Sequence, residues 1–192
     1  MCAGTMTRST SAQPWAQGVL WLLGAVWAAR SLQSFLEPNF TSPNSAADWF
    51  AVISFSVAFG LLPVGIWILL HRSHLKPVSV RVLSLAAVVA AGSAAVANVV
   101  EDGFGVSEAG TVYLVGATGT LLVLLVTALA VATRGPRSLA LVPLATLFGM
   151  LNFERGGGLI VLVAWAWLAL VIARPEVHTA SELTPTGPPA AA

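Results

Sequence analysis

Long apolar runs separated by short polar interruptions fill most of the chain. Residues 9–29, 49–70, 82–100, 109–133, 138–153 and 156–173 contain no Asp, Glu, Lys or Arg. A helix needs about 20 residues to cross a hydrocarbon core of ~30 Å. The pattern predicts helices over 15–35, 49–70, 80–100 and 111–133, followed by two shorter ones within 138–153 and 156–173. Trp49 and Phe50 stand at one end of the second run, where an interfacial aromatic belt belongs. The runs are much longer than the ~10-residue alternating segments of an outer-membrane barrel. Backbone polar groups in lipid must be satisfied internally, which leaves helices. The expected fold class is all-α: a polytopic integral membrane protein, a bundle of six transmembrane helices arranged as three hairpins. The expected organisation is a disordered tail over 1–14, a transmembrane domain over 15–174 and a second disordered, Pro/Ala-rich tail over 175–192.

Composition agrees with this pattern. Hydrophobic residues make up 57% of the 192 and charged residues 9%, against about 25% charged in a typical soluble domain. The mean hydropathy is +0.85. So few charges cannot cover a water-exposed surface, whereas a lipid-facing surface can be as apolar as the core. Eight Arg against one Lys, with Ala, Val, Leu and Gly dominant, is the bias of a GC-rich bacterial genome.

The net charge of +1 is uninformative, but the placement of the charges is not. With the N-terminus inside, Arg8, Arg72, Lys76, Arg81, Arg134, Arg137 and Arg174 fall on the cytoplasmic side, and only Arg30 and Arg155 fall outside. The positive-inside rule then places both termini in the cytoplasm of a cell-membrane protein. Glu37, Asp48, Glu101, Asp102, Glu108 and Glu154 fall outside. A competing reading takes Arg8, the following apolar stretch and Val26-Trp27-Ala28 as a signal peptide with its cleavage site.

The candidate chemistry lies in an outer polar layer. Asn98, Glu101 and Asp102 sit at i, i+3 and i+4, which puts them on one helical face, continued inward by Ala95, Ala94 and Ala91. Small residues let a neighbouring helix approach, so this face should be the packed one. By the same geometry Asn152 and Arg155 lie over Gly149 and Ala145, and Arg30, Gln33, Ser34 and Glu37 form a third polar face. Ionisable groups at membrane depth should be paired. The layer of Arg30, Glu37, Asn98, Glu101, Asp102, Asn152, Glu154 and Arg155 therefore reads either as a structural network or as a site for a cation or small polar ligand. In the structural version Arg30 and Arg155 neutralise Glu101 and Glu154. Asn98 to Gly103 and Asn152 to Gly156 also resemble each other, either because any outer helix end needs polar residues and glycine or as duplicated hairpins would.

Other features have plainer readings. Gly156, Gly157 and Gly158 permit a tight turn, though bare amides at a helix start can also hold an anion. Pro63 and Pro143 interrupt helices two and five, as kinks or as the broken segments of a transporter site. His71 and His74, beside Arg72 and Lys76, form a basic interfacial cluster suited to anionic lipid rather than to a metal. Cys2 stands alone, so neither an intramolecular disulfide nor a thiolate cluster is available. H-E-x-x-H, G-x-S-x-G and P-loop motifs are absent, as is a basic aromatic surface for nucleic acid. The expected partners are the lipid bilayer and a membrane protein or a second copy of the chain, with no nucleic acid. No catalytic, metal or cofactor-binding residues are expected. The functional expectation is a non-enzymatic membrane component acting as partner subunit, scaffold or sensor. The alternative is a small transporter or ion-binding protein that uses the layer around Glu101, Asp102 and Arg155.

Overall fold

The computed structural model describes residues 14–36, 43 and 45–173. Glu37, Arg174 and most of both expected tails lie outside these. Six α-helices follow in order, with no strand among the described residues: α1 (Pro14–Leu36), α2 (Ala46–Arg72), α3 (Pro77–Asn98), α4 (Ala109–Arg134), α5 (Leu141–Leu151) and α6 (Gly157–Ala173). A π-helical turn, Val99–Gly103, prolongs α3, and a 3-10 turn, Arg137–Ala140, precedes α5. Four spans are long and apolar enough to cross a bilayer: Pro14–Leu36, Ala46–Arg72, Pro77–Gly103 and Ala109–Arg134. The other two, Arg137–Leu151 and Gly157–Ala173, are shorter.

Local sequence accounts for the ends. Ser45 caps α2: its hydroxyl accepts from the Asp48 N–H at 3.2 Å, while the Asp48 carboxylate accepts from the Ser45 N–H at 2.9 Å. This reciprocal box starts the helix three residues earlier than hydropathy alone places it. Pro77 opens α3, where its missing N–H costs nothing.

Each helix packs on its neighbours in sequence, and α6 returns to pack most extensively on α1, closing a ring. Two crossings explain the closeness. Ala87, Ala91, Ala94 and Ala97 of α3 are buried, and a Cβ placed on Gly116 of α4 would meet Ser93 Oγ at 2.6 Å and the Ala94 nitrogen at 2.7 Å. Between α1 and α6, a Cβ on Gly24 would meet Leu162 Cα at 2.9 Å. The core toward the Arg72 and Arg134 end is apolar, built on Leu20, Leu23, Leu62, Ile66, Leu124 and Trp165. Large apolar side chains also face outward, Leu85, Val89 and Val115 among them.

Four expectations are corrected. Continuing α3 as a regular helix put Asn98, Glu101 and Asp102 on one face, but Val99–Gly103 form a π turn, and Asn98 bonds α2 while Glu101 meets Gly110 of α4. Arg155 is not on α5, which stops at Leu151; Phe153–Arg155 form a 3-10 turn ending at Gly156, whose φ of 85° needs no Cβ in the way. The resemblance between Asn98–Gly103 and Asn152–Gly156 is therefore one of composition, since the first continues a helix and the second reverses the chain. Pro143 does not break α5 but lies in its first turn, where the backbone N–H has no intrahelical partner to lose.

Candidate functional site

The α5–α6 hairpin is too short to match its neighbours. α4 has 26 residues, about 39 Å at 1.5 Å per residue. The return leg Arg137–Leu151 spans only about 24 Å. The two start level, joined by Gly135 and Pro136, so the turn Asn152–Gly156 stops well short of the Ala109 end of α4. On the other side, a Cβ at Gly158 would land on the Trp27 carbonyl and meet Ser31 Cβ at 2.5 Å. The turn therefore sits beside Trp27 and Ser31, while α1 continues to Leu36. Ser31, fully buried, fixes it there: its Oγ donates to the Phe153 carbonyl at 2.6 Å and accepts from the Gly158 N–H at 3.2 Å. The amide that might have held an anion is thus spent on packing α6 against α1.

Above the sunken turn lies a cavity of about 460 Å³. Trp27 of α1, Phe55 and Phe59 of α2, and Tyr113, Ala117 and Leu121 of α4 form its walls; Met150 to Arg155 form its floor. The aromatic rings are in mutual contact. Trp27 meets Phe55, Phe59 and Phe153 at 5.8, 5.4 and 5.7 Å between centroids. Phe55 also meets Phe153 at 5.5 Å and Tyr113 at 6.1 Å. These separations suit tilted and edge-to-face pairs.

Arg30 packs on two of these rings, its guanidinium 5.7 Å from the centroids of both Phe55 and Phe153, within cation–π range. It donates to Ser34 Oγ one turn on. Glu101 is turned toward α4, where a Cβ on Gly110 would collide with its carboxylate. Asn98 is buried and structural, donating to the Val52 carbonyl at 3.2 Å and to Ser56 Oγ at 3.0 Å. Asn152 donates to the Phe148 carbonyl at 2.9 Å, closing the end of α5. Glu154 and Arg155 are exposed on the floor of the cavity. Of the candidate layer, then, Asn152, Glu154 and Arg155 line the cavity, Arg30 packs on two of its rings, and Asn98 and Glu101 serve helix contacts. Glu37 lies outside the described residues.

Two buried donors in this region have no acceptor among the described residues: the Trp27 indole N–H and the Arg30 Nε–H. Trp27 is 1% exposed. Of the residues with unpaired buried atoms, which also include Gln33, Ser84, Thr127 and Trp165, only Trp27 belongs to the cavity lining. The His71 Nδ1 lies 2.9 Å from the Trp67 carbonyl, and no cluster of three or more His, Cys, Asp or Glu residues suited to a metal occurs among the described residues.

The aromatic walls escaped a reading based on charge. Trp27, Phe55, Phe59 and Tyr113 fall inside apolar runs and look like ordinary core. The usable signal was the length mismatch between runs four and five, together with the chain's one tyrosine near the start of run four. Comparison with protein families, with characterised proteins and with solved structures yields no match.

Proposed function

We propose that the chain is a non-enzymatic, six-span membrane component, a sensor or partner subunit, whose working surface is the aromatic vestibule above the α5–α6 turn. The vestibule faces the outside of a cell membrane, and both termini are cytoplasmic. The basic residues support this orientation, since Arg72, Lys76, Arg81, Arg134 and Arg137 gather at the opposite end. The single observation that carries the reading is the cavity itself: concave, with aromatic walls and a partly polar floor, and within the ~300–1,000 Å³ range of small-molecule sites.

The cavity is a blind pocket rather than half of a pathway. Below it the core is closed by buried Leu20, Leu23, Leu62, Ile66 and Leu124. Two deeper hydroxyls serve their own helices, Thr120 donating to the Gly116 carbonyl at 2.8 Å and Thr146 to that of Val142 at 2.8 Å. An alternating-access site wants polar groups near the bilayer midplane, so the small-transporter reading has less support. No nucleophile–base pair is evident around the cavity, which favours binding over catalysis.

The test is native mass spectrometry of the protein released from its own membrane. Ala117, on the cavity wall, is replaced by Trp to fill the space. A small-molecule adduct on the parent that disappears in Ala117→Trp, at unchanged melting temperature, is the expected result. An adduct of equal occupancy on both would overturn the reading.

A further inference from the structure

A second concavity, of about 710 Å³, lies between α2 and α3 at the end opposite the vestibule. Arg81, Leu85 and Val88 of α3 form one wall, and Trp67 and His71 of α2 the other. Leu70 and Val80, both buried, close it toward the core.

Spacing grades this groove from charge to hydrocarbon. Arg81, Leu85 and Val88 follow at i, i+4 and i+7, so they share one face of α3. From the start of the helix at Pro77 they lie about 6, 12 and 17 Å along its axis. Leu85 and Val88 are exposed. Trp67 stands about as far from its own helix end at Arg72 as Arg81 does from Pro77. It meets Trp15 of α1 at 6.1 Å and His71 at 4.2 Å between ring centroids. Indoles gather at the level of lipid headgroups, which puts Arg81 at headgroup depth and Leu85 and Val88 beside acyl chains.

The charge at the mouth is of one sign. Arg72 ends α2 and Lys76 precedes α3, both exposed. α3 also begins without a side-chain cap, so the positive end of its dipole adds to theirs. The carboxylates among the described residues, Asp48, Glu101, Asp102, Glu108 and Glu154, all lie at the opposite end of the helices.

We propose that the groove is a site for one anionic phospholipid, with its phosphate against Arg81, Arg72 and Lys76 and an acyl chain along Leu85 and Val88. Charge complementarity selects this occupant. A second copy of the chain would bring the same basic residues to the contact, and a free phosphate would leave the apolar half of the groove uncovered. The proposal rests on the membrane-embedded reading and is independent of the vestibule.

The experiment uses the full chain in maltoside micelles, with bound lipid counted by native mass spectrometry. The probes are phosphatidylglycerol and phosphatidylcholine with identical acyl chains, and inorganic phosphate as competitor. One phosphatidylglycerol is expected to be held at least about five-fold more tightly than phosphatidylcholine, the equivalent of ~1 kcal/mol from one basic residue near an anionic headgroup. Arg81→Gln, at an exposed position, should remove most of that preference. Arg137→Gln, at the same end but outside the groove lining, should leave it unchanged. Leu85→Trp should weaken phosphatidylglycerol by filling the apolar part. Equal retention of the two lipids by the parent, or equal losses in Arg81→Gln and Arg137→Gln, would overturn the groove assignment. Displacement of the lipid by millimolar phosphate would make it an anion site without an acyl chain. A lipid-free dimer that Leu85→Trp dissociates would give the groove to a second copy. Release of the chain from its membrane by an alkaline wash without detergent would instead overturn the membrane reading itself.

Discussion

Ser31 and Gly158 show how much of the site depends on atoms that are absent. Gly158 has no Cβ, so α6 can bring its backbone against the Trp27 carbonyl and Ser31 Cβ. Ser31 then joins both chains, bonding the Phe153 carbonyl and the Gly158 N–H. An added methyl forces the helices apart, and overpacking of this kind costs about 1–3 kcal/mol. Gly158→Ala is therefore expected to lower the melting temperature in detergent clearly. Gly18→Ala on α1, where a Cβ meets nothing within 4 Å, should be neutral or slightly stabilising, because Ala is the better helix former. Equal melting of the two variants would contradict the close α1–α6 crossing. At this scale the sequence was legible where residues are polar and silent where they are not. The layer of Arg30, Asp102, Glu154 and Arg155 could be picked out by charge. How its members are arranged could not, because Val99–Gly103 form a π turn, and a π turn leaves no hydropathy signature. Ser31 passed unnoticed because one hydroxyl in a helix usually bonds its own backbone.

At the scale of elements, four of the six helices were plain from the apolar runs, to within a few residues. Errors gathered at the ends, where capping decides: Ser45 and Asp48 lengthen α2, and Gly105, at φ 72°, ends the extension of α3. The packed face of α3 was also legible, because small residues at helical spacing have a physical purpose in lipid. Ala91 and Ala94 are fully buried, and Ala94 offers its backbone to Gly116 of α4. Replacing Ala94 by Leu asks for space that the crossing does not have, and should cost stability in the same ~1–3 kcal/mol range. The companion change is Val89→Leu on the outward side of α3, where Val89 is 64% exposed. It should leave the melting temperature nearly unchanged. Val123 of α4 is a poorer comparison, because it packs against the core. Similar melting of Ala94→Leu and Val89→Leu would show that the alanine face is not the packed one.

For the whole molecule, the decisive quantity is the mismatch between long and short helices. The α5–α6 hairpin reaches about 25 Å against a hydrocarbon core of ~30 Å, so its turn lies below the level of the surrounding helix ends. Two arrangements satisfy this. In one the hairpin crosses the membrane and water fills the vestibule down to the turn. In the other it is buried in lipid with its turn dry, which leaves Glu154 and Arg155 as expensive unsolvated charges. Fusing a reporter to the C-terminus cannot separate these from a hairpin that never crosses, because two passes and no pass return the chain to the same side. Labelling the turn can. In a Cys2→Ser background, the single-cysteine variant Arg155→Cys is treated in intact cells with a membrane-impermeant thiol reagent. Arg155 lines the cavity and is exposed, so a wet, outward-facing vestibule predicts rapid labelling. Leu159→Cys, one turn further along α6 and 56% exposed on its outer surface, faces lipid in the same arrangement and should stay unlabelled, because the reactive thiolate does not form there. Arg137→Cys, at the opposite end of the hairpin, should react only after the cells are opened. Labelling at Arg137 in intact cells would reverse the orientation. Absence of labelling at Arg155 in both intact and opened cells would mean that the turn is dry, and the vestibule would then lose its claim to be a site for a ligand arriving from water.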